Sequence, residues 1–406
     1  MSDLISRRDA IKRGGMIAVG LVAPRWLATI AEADMVKLSK GGRLAKDTVL
    51  VVCQLSGGND GLNTFVPYAN KLYYQMRPTI GIPEAQVLKI SDQMGMHPGM
   101  APLADLFKKG QVAIIQNVGY PQPNRSHFKS MDIWQSASPD GKMRYGWIGR
   151  HMDTVLASNP VYALGLSTDK PLALAGKTAS VPCFASLADI QNMIGDPDTE
   201  RMLREIQGMD AKAGSLEAVV QRANKTALDA MNVLASQLTK YTPKQTYAND
   251  PFGNGFKQIS QLVATSPQTR IVYFSTGGFD THARQAESHT RLISNFSNAV
   301  GAFQKEMEAC GKADKVIVLV FSEFGRRVAE NGSQGTDHGA AGPMMLIGKN
   351  VKGGFHGSNP NLQELVNGDL KFETDFRSVY AATLDQWIGG DSGVVLGQKF
   401  QHLPIF

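Results

Sequence analysis

The chain has 406 residues, room for one large domain or two ordinary ones. Apolar residues make up 43% and charged residues 19%, the balance of a folded protein, which excludes a disordered chain. The formal net charge of +6 is mild, and no Lys/Arg run with interleaved aromatics occurs, so nucleic acid is excluded as a partner. Cys53, Cys183 and Cys310 lie far apart without zinc-ribbon spacing and read as free thiols, with one disulfide as the alternative.

Residues 1–33 read as a targeting segment. Ser6-Arg7-Arg8-Asp9-Ala10-Ile11-Lys12 is followed by an apolar stretch, Met16 to Ala23, and then by the small-x-small site Ala31-Glu32-Ala33. The paired arginines resemble the twin-arginine export signal of bacteria, with Ala10 where that signal prefers Phe. The expectation is a passing encounter with the twin-arginine translocase and a periplasmic or secreted protein. The apolar run is shorter than the roughly 20 residues that span a bilayer, so no stable membrane span is expected.

Residues 34–406 are expected to form a single domain. Val49 to Leu55 is β-branched and apolar, a strand buried on both faces. A loop rich in Pro and Tyr follows, then a short helix from Pro102 to Lys109 and a second buried strand from Gln111 to Val118. Asn124 opens a helix that runs to about Ser136, Gly146 to Leu156 forms another, and a strand lies near Val161 to Leu166. From about 196 to 265 the pattern is helical, which predicts an insertion flanking the sheet. Alternation then resumes with strand Arg270 to Ser275, helix Ala283 to Cys310 and strands Val316 to Phe321 and Pro343 to Ile347. Asp375 caps a last helix, Phe376 to Ile388. This order predicts an α/β fold with a doubly wound, mostly parallel sheet and helices on both faces.

Three apolar strands end in polar, chemistry-bearing residues. Val49 to Leu55 leads into Gly57-Gly58-Asn59-Asp60-Gly61, and Arg270 to Ser275 leads into Gly277-Gly278-Phe279-Asp280-Thr281-His282. Val316 to Phe321 leads into Ser322-Glu323, with Asp337-His338-Gly339 after a loop of small residues. Ligands of open α/β sheets sit beyond the carboxyl ends of the strands. Acids and histidines on one such rim make a metal site, with zinc, manganese, magnesium and calcium all open. Asn124-Arg125-Ser126-His127 adds a hydroxyl at a positive helix end, where an anion is stabilised.

The segments 57–68, 124–134, 146–150, 277–282, 322–327, 331–339 and 375–389, in that order, resemble the family called domain of unknown function 1501. That family is similar in fold to the alkaline phosphatase and sulfatase superfamily. The resemblance implies Asp60, Asp280, His282, Glu323, Asp337 and His338 as metal ligands, and Ser126 as nucleophile beside Arg125. It implies substrate binding by Asn59, His127, Arg326 and Arg377. Phe324 stands where a histidine ligand is expected, and no sulfatase-type Cys/Ser-x-Pro-x-Arg signature occurs. The implied activity is hydrolysis of a phosphate or sulfate ester, on a small molecule or a glycan, by divalent ions that clamp the attacking and leaving oxygens. A degenerate member that binds a metal or an anionic glycan without turnover is the alternative.

Overall fold

The computed structural model describes residues 47–406 except 156–158, 189, 191–195, 209–211 and 213–214. The leader expected at 1–33 lies outside the described residues, as does part of the expected helical insertion. β1 spans Val49–Leu55, and all seven of its residues are buried. Successive side chains of a strand point to opposite faces. Accordingly Val49, Val51, Cys53 and Leu55 enter one core, while Leu50 and Val52 enter the other. Each such side chain contributes roughly 1.5–3 kcal/mol on full burial, which explains why an uninterrupted apolar run makes a central strand.

The sheet is completed by β2 (Val112–Gly119), β3 (Ala163–Leu166), β4 (Cys183–Phe184), β5 (Ile271–Thr276), β6 (Val316–Phe321), β7 (Gly342–Ile347) and β8 (Gly354–His356). The hairpin β9 (Leu365–Val366) and β10 (Asp369–Leu370) stands apart from it, and β11 (Thr374–Asp375) pairs with β2. The order is β8-β2-β7-β6-β1-β5-β3-β4. Every pairing in this sheet is parallel except those of β7, which runs antiparallel to both β2 and β6.

Helices cover both faces. α1 (Ala101–Lys108), α5 (Leu216–Leu238), α6 (Pro251–Thr265) and α7 (Gln285–Ala309) supply the first core. α2 (His127–Ser136), α3 (Trp147–Thr154) and α8 (Phe376–Ala382) supply the second. α4 (Pro197–Gln207) packs on α5. α6 buries Phe252, Phe256, Ile259, Leu262 and Val263 against the sheet, so this part of the expected insertion is a layer of the core. The last helix is shorter than expected: Asp375 caps it, but regular α geometry stops at Ala382 and Thr383–Ile388 winds as π-helix. All three cysteines are free thiols, with Cys53 and Cys183 buried. Among the described residues no helix is long and apolar enough to cross a membrane.

β1, β2, β5 and β6 run in the same direction, so their carboxyl ends form one rim. The turn after β1 is pressed onto that of β5: at Gly57, with φ +121°, a Cβ would stand 2.4 Å from the Asp280 backbone nitrogen. At Gly58, φ +79°, it would meet the Phe324 ring at 2.4 Å. Both positions therefore need glycine on conformational and steric grounds. Gly57→Ala is expected to lower stability by about 2 kcal/mol or more in urea unfolding, against no comparable loss for Gly332→Ala, where the added atom meets open space.

Candidate metal centre

The side chain at the middle of the rim is Asp280, four residues beyond β5. Its Oδ1 accepts from Arg326 Nη2 at 2.6 Å and lies 3.0 Å from His282 Nε2 and 3.1 Å from His338 Nε2. Its Oδ2 lies 3.4 Å from His127 Nε2. Ligand atoms of His127, Asp280 and His338 all fall within 4.8 Å of one another, and His282 Nε2 stands 2.9 Å from His338 Nε2. Partial burial raises the Asp280 carboxyl, but the hydrogen bond and charge of Arg326, with the neighbouring His338 and His282 rings, outweigh it and hold the group down at about 2.

The outer nitrogen of each imidazole decides what the inner one offers. His338 Nδ1 is 2.8 Å from the Arg125 carbonyl oxygen, which can only accept, so Nδ1 carries the hydrogen. His127 Nδ1 donates to Glu323 Oε1 at 2.8 Å, and His282 Nδ1 to Asp337 Oδ1 at 3.3 Å. In the neutral rings all three Nε2 atoms are bare lone pairs turned toward Asp280. His127 Nε2 is buried and makes no hydrogen bond. Two lone pairs facing each other at 2.9 Å beside a carboxylate repel unless positive charge sits among them. Carboxylates and carbonyls that fix the distal nitrogen of a ligating histidine are the usual outer shell of a metal site. The donor set therefore fits a cation.

Local structure accounts for each position. Glu323 stands two residues past the end of β6, is fully buried, and also accepts from the Gly57 backbone N–H at 2.8 Å. His127 begins α2, and its ring packs against Phe324 and His338 with centroids 4.8 Å and 4.4 Å away. The hydrogen bond to Glu323 raises the His127 pKa, whereas burial lowers that of His338. Asn331 donates to Asp337 Oδ1 at 3.1 Å and to the His282 carbonyl at 2.9 Å, which ties the 331–338 loop to the β5 end.

Of the ligands expected from sequence, Asp280, His282 and His338 come together here. Glu323 and Asp337 stand behind His127 and His282, in contact with the rings. Asp60 is elsewhere: it caps the turn Gly61–Thr64 through Oδ1, while Oδ2 pairs with the buried Arg77 at 2.6 Å and accepts from Gln285. Asn59 is buried against Thr64 and His289. Arg326 is fully buried, its guanidinium satisfied by the carbonyls of Gly57, Gly58, Phe279 and Thr336 and by Asp280. Arg377 pairs with Asp375 and lies over the Phe400 ring, 4.5 Å from its centroid. Arg125 pairs with Asp369 through its side chain. Ser126 is exposed at the N-cap of α2 and makes no capping bond with its hydroxyl.

His127 joins the ligand group although the resemblance implies it for substrate binding: the strand-end pattern points to loop residues, and His127 stands on a helix. Arg77 carried no sequence signal at all.

The family model described as "Protein of unknown function (DUF1501)" matches residues 45–370. The chain belongs to this family. No curated protein sequence matches the DUF1501 chain. Among solved structures, it is similar to the C-terminal periplasmic domain of EcEptC from Escherichia coli in complex with Zn. That domain is 8% identical, with 75% of this chain and 73% of that one covered and a TM-score of 0.37. A protein in the alkaline phosphatase superfamily from Vibrio parahaemolyticus is 7% identical, with 83% and 70% covered and a TM-score of 0.33. The lipoteichoic acid synthase LtaP from Listeria monocytogenes is 8% identical, with 82% and 71% covered and a TM-score of 0.33.

The Asp60–Arg77 pair yields a check independent of any metal. Burial opposes the charge on Asp60, but Arg77 holds its carboxyl below the ordinary value. A lowered carboxylate pKa adds stability that is present above about pH 4 and is lost as the pH falls through the folded-state value. Asp60→Asn leaves Arg77 buried without a counter-ion and is expected to lose about 3–5 kcal/mol at neutral pH. Unfolding midpoints from pH 7 to 3 should fall more steeply in the wild type than in the variant.

Proposed function

We propose that this protein is an exported, metal-dependent hydrolase of a phosphate or sulfate ester. The observation that carries this reading is the set of three imidazoles, each anchored through Nδ1 and each turned by Nε2 onto Asp280. His127, His282, His338 and Asp280 would hold one divalent ion. Imidazole-rich donors suit zinc and its neighbours, whereas calcium and magnesium call for oxygen ligands. When bound, the ion supplies Lewis-acid polarisation of an ester oxygen.

The remaining roles belong to the chain's own groups. Glu323, Asp337 and the Arg125 carbonyl hold the rings in orientation, and Arg326 holds Asp280. Ser126 is the candidate nucleophile: it is exposed next to His127, and its hydroxyl is not consumed in capping the helix. Its oxygen would bond to phosphorus or sulfur as the bond to the leaving alkoxide breaks, with its proton released to solvent, and water would then cleave the seryl ester. The non-bridging oxygens would fall to Arg284, exposed two residues beyond His282, and to Arg327, which adjoins Arg326 and lies in the field of Asp337 and Asp369. A planar guanidinium meets two such oxygens at once. These two replace Arg326 and Arg377, which are occupied within the protein. The leader supports export by the twin-arginine translocase, which leaves the folded protein in the periplasm or beyond.

One observation favours a second reading, that of a binding protein without turnover. The Phe324 ring packs on His127 and His338, at 4.8 Å and 4.7 Å between centroids, where the resemblance expects a further ligand. Only one candidate ligand group occurs among the described residues, so a two-ion clamp is not part of the proposal.

Elemental analysis of protein purified without chelator is expected to find about one equivalent of divalent metal, lost in Asp280→Ala. With metal restored, nitrophenyl phosphate or sulfate should be hydrolysed, and Ser126→Ala should lower kcat by at least about 100-fold. Metal and anion binding with no hydrolysis of either ester would leave the binding protein. No metal in either sample would remove both readings.

A further inference from the structure

A cavity of about 340 Å³ lies against α2, at the lower end of the roughly 300–1,000 Å³ of small-molecule sites. Lys129, Asp132, Ile133 and Ser136 of α2 form one of its sides. At about 100° per residue these four point roughly 140–240° around the helix from His127. The cavity therefore occupies the face of α2 turned away from the metal centre.

Its walls are preformed. Ser138 Oγ accepts from the Met143 N–H at 3.0 Å and donates to Asp140 Oδ1 at 2.7 Å, which fixes the loop after α2. The Met143 side chain is wedged beside the short helix Ser392–Leu396: a Cβ on Gly397 would stand 2.1 Å from Met143 Cε. Arg150 of α3 donates to the Ser136 carbonyl at 2.7 Å and to the Tyr145 carbonyl, one on each side of the cavity. It also donates to the Val395 carbonyl at 2.6 Å. Walls fixed before a ligand arrives reduce the ordering cost of binding it.

The lining selects the ligand. Ile133, Met143 and Leu172 offer apolar surface, Lys129 and Arg144 bring two positive charges, and Asp132 brings the one carboxylate of the lining. Partial burial pushes the Asp132 carboxyl above its ordinary value, and Lys129, one turn away, offsets this only in part. Asp132 is thus left to gain from a cation supplied by a ligand. A plain anion would leave that demand unmet, and a plain amine would face the two cations without a counter-charge. A small apolar body that carries an ammonium and a carboxylate meets all three demands.

We propose that this cavity binds a free α-amino acid with an apolar side chain. Asp132 takes the ammonium, Lys129 and Arg144 take the carboxylate, and Ile133, Met143 and Leu172 receive the side chain. The site needs no metal and does not rest on the metal-centre reading.

The test is isothermal titration calorimetry of the full chain in excess EDTA with L-leucine, L-methionine and L-valine. Beside them stand 4-methylpentanoate and isoamylamine, which keep the leucine body and lose one charge each. At least one amino acid is expected to bind at one site per chain, about tenfold tighter than either analogue. Asp132→Asn should abolish the preference over 4-methylpentanoate, and Arg144→Gln should weaken that over isoamylamine. Neither variant should move the melting temperature without ligand, because both residues lie at the surface. Binding of none of the three amino acids overturns the proposal. So does amino-acid affinity unchanged in Asp132→Asn, or an analogue that binds as tightly as the amino acids. Because EDTA removes any metal, these failures leave the metal-centre reading standing, and a protein found without metal leaves this site standing.

Discussion

One guanidinium holds the rim together. Arg326 is buried, and it donates to the carbonyls of Gly57 and Gly58 beyond β1, Phe279 beyond β5, and Thr336 in the returning loop. It also binds Asp280 Oδ1 at 2.6 Å. A buried cation costs several kcal/mol unless its donors are satisfied, and here carbonyls and one carboxylate do so. The arrangement makes three loops that are remote in sequence into one rigid surface. A backbone bridge between Arg326 and His338 ties the returning loop a second time. The aim of Asp280 and the reach of His338, on which the candidate metal centre depends, follow from that constraint.

The same economy appears in the groups behind the imidazoles. Glu323 serves the Gly57 N–H and the His127 ring with one oxygen, so the turn after β1 and the start of α2 are set by the same carboxylate. Ser130 on α2 donates to the Glu323 carbonyl, and Tyr120 lies 3.0 Å from Ser130, so the strand end and the helix are locked twice. A ring held on its outer nitrogen by a fixed acceptor has its inner lone pair fixed in direction. Preorganisation of this kind makes sense for a centre that must accept a cation and then leave room for an anion, which is the chemistry proposed here.

Much of this was legible in the sequence. β1 and β6 fall on the expected residues, because an uninterrupted run of β-branched apolar side chains has no stable place except between two covered faces. Asp280, His282 and His338 were legible as a group because each follows such a strand or its loop. The exchange between Asp60 and His127 was not legible. Asp60 sits in a strand-end turn like the others, but Arg77 and Gln285 enclose it, and nothing in the 16 residues between Asp60 and Arg77 announces their pairing. His127 sits at a helix start, the right place for a capping hydroxyl and an unremarkable one for a ligand. Its role depends on Glu323, which is remote in sequence and adjacent only after folding.

Sequence alone determined the layered α/β architecture, a mostly parallel sheet and the rim on which acids and histidines gather, because burial and periodicity act locally along the chain. Only tertiary structure decided which of those acids faces a histidine and which faces an arginine. That choice is made by distances of about 3 Å between loops, and hydrogen-bond geometry of that precision has no signature in composition or spacing.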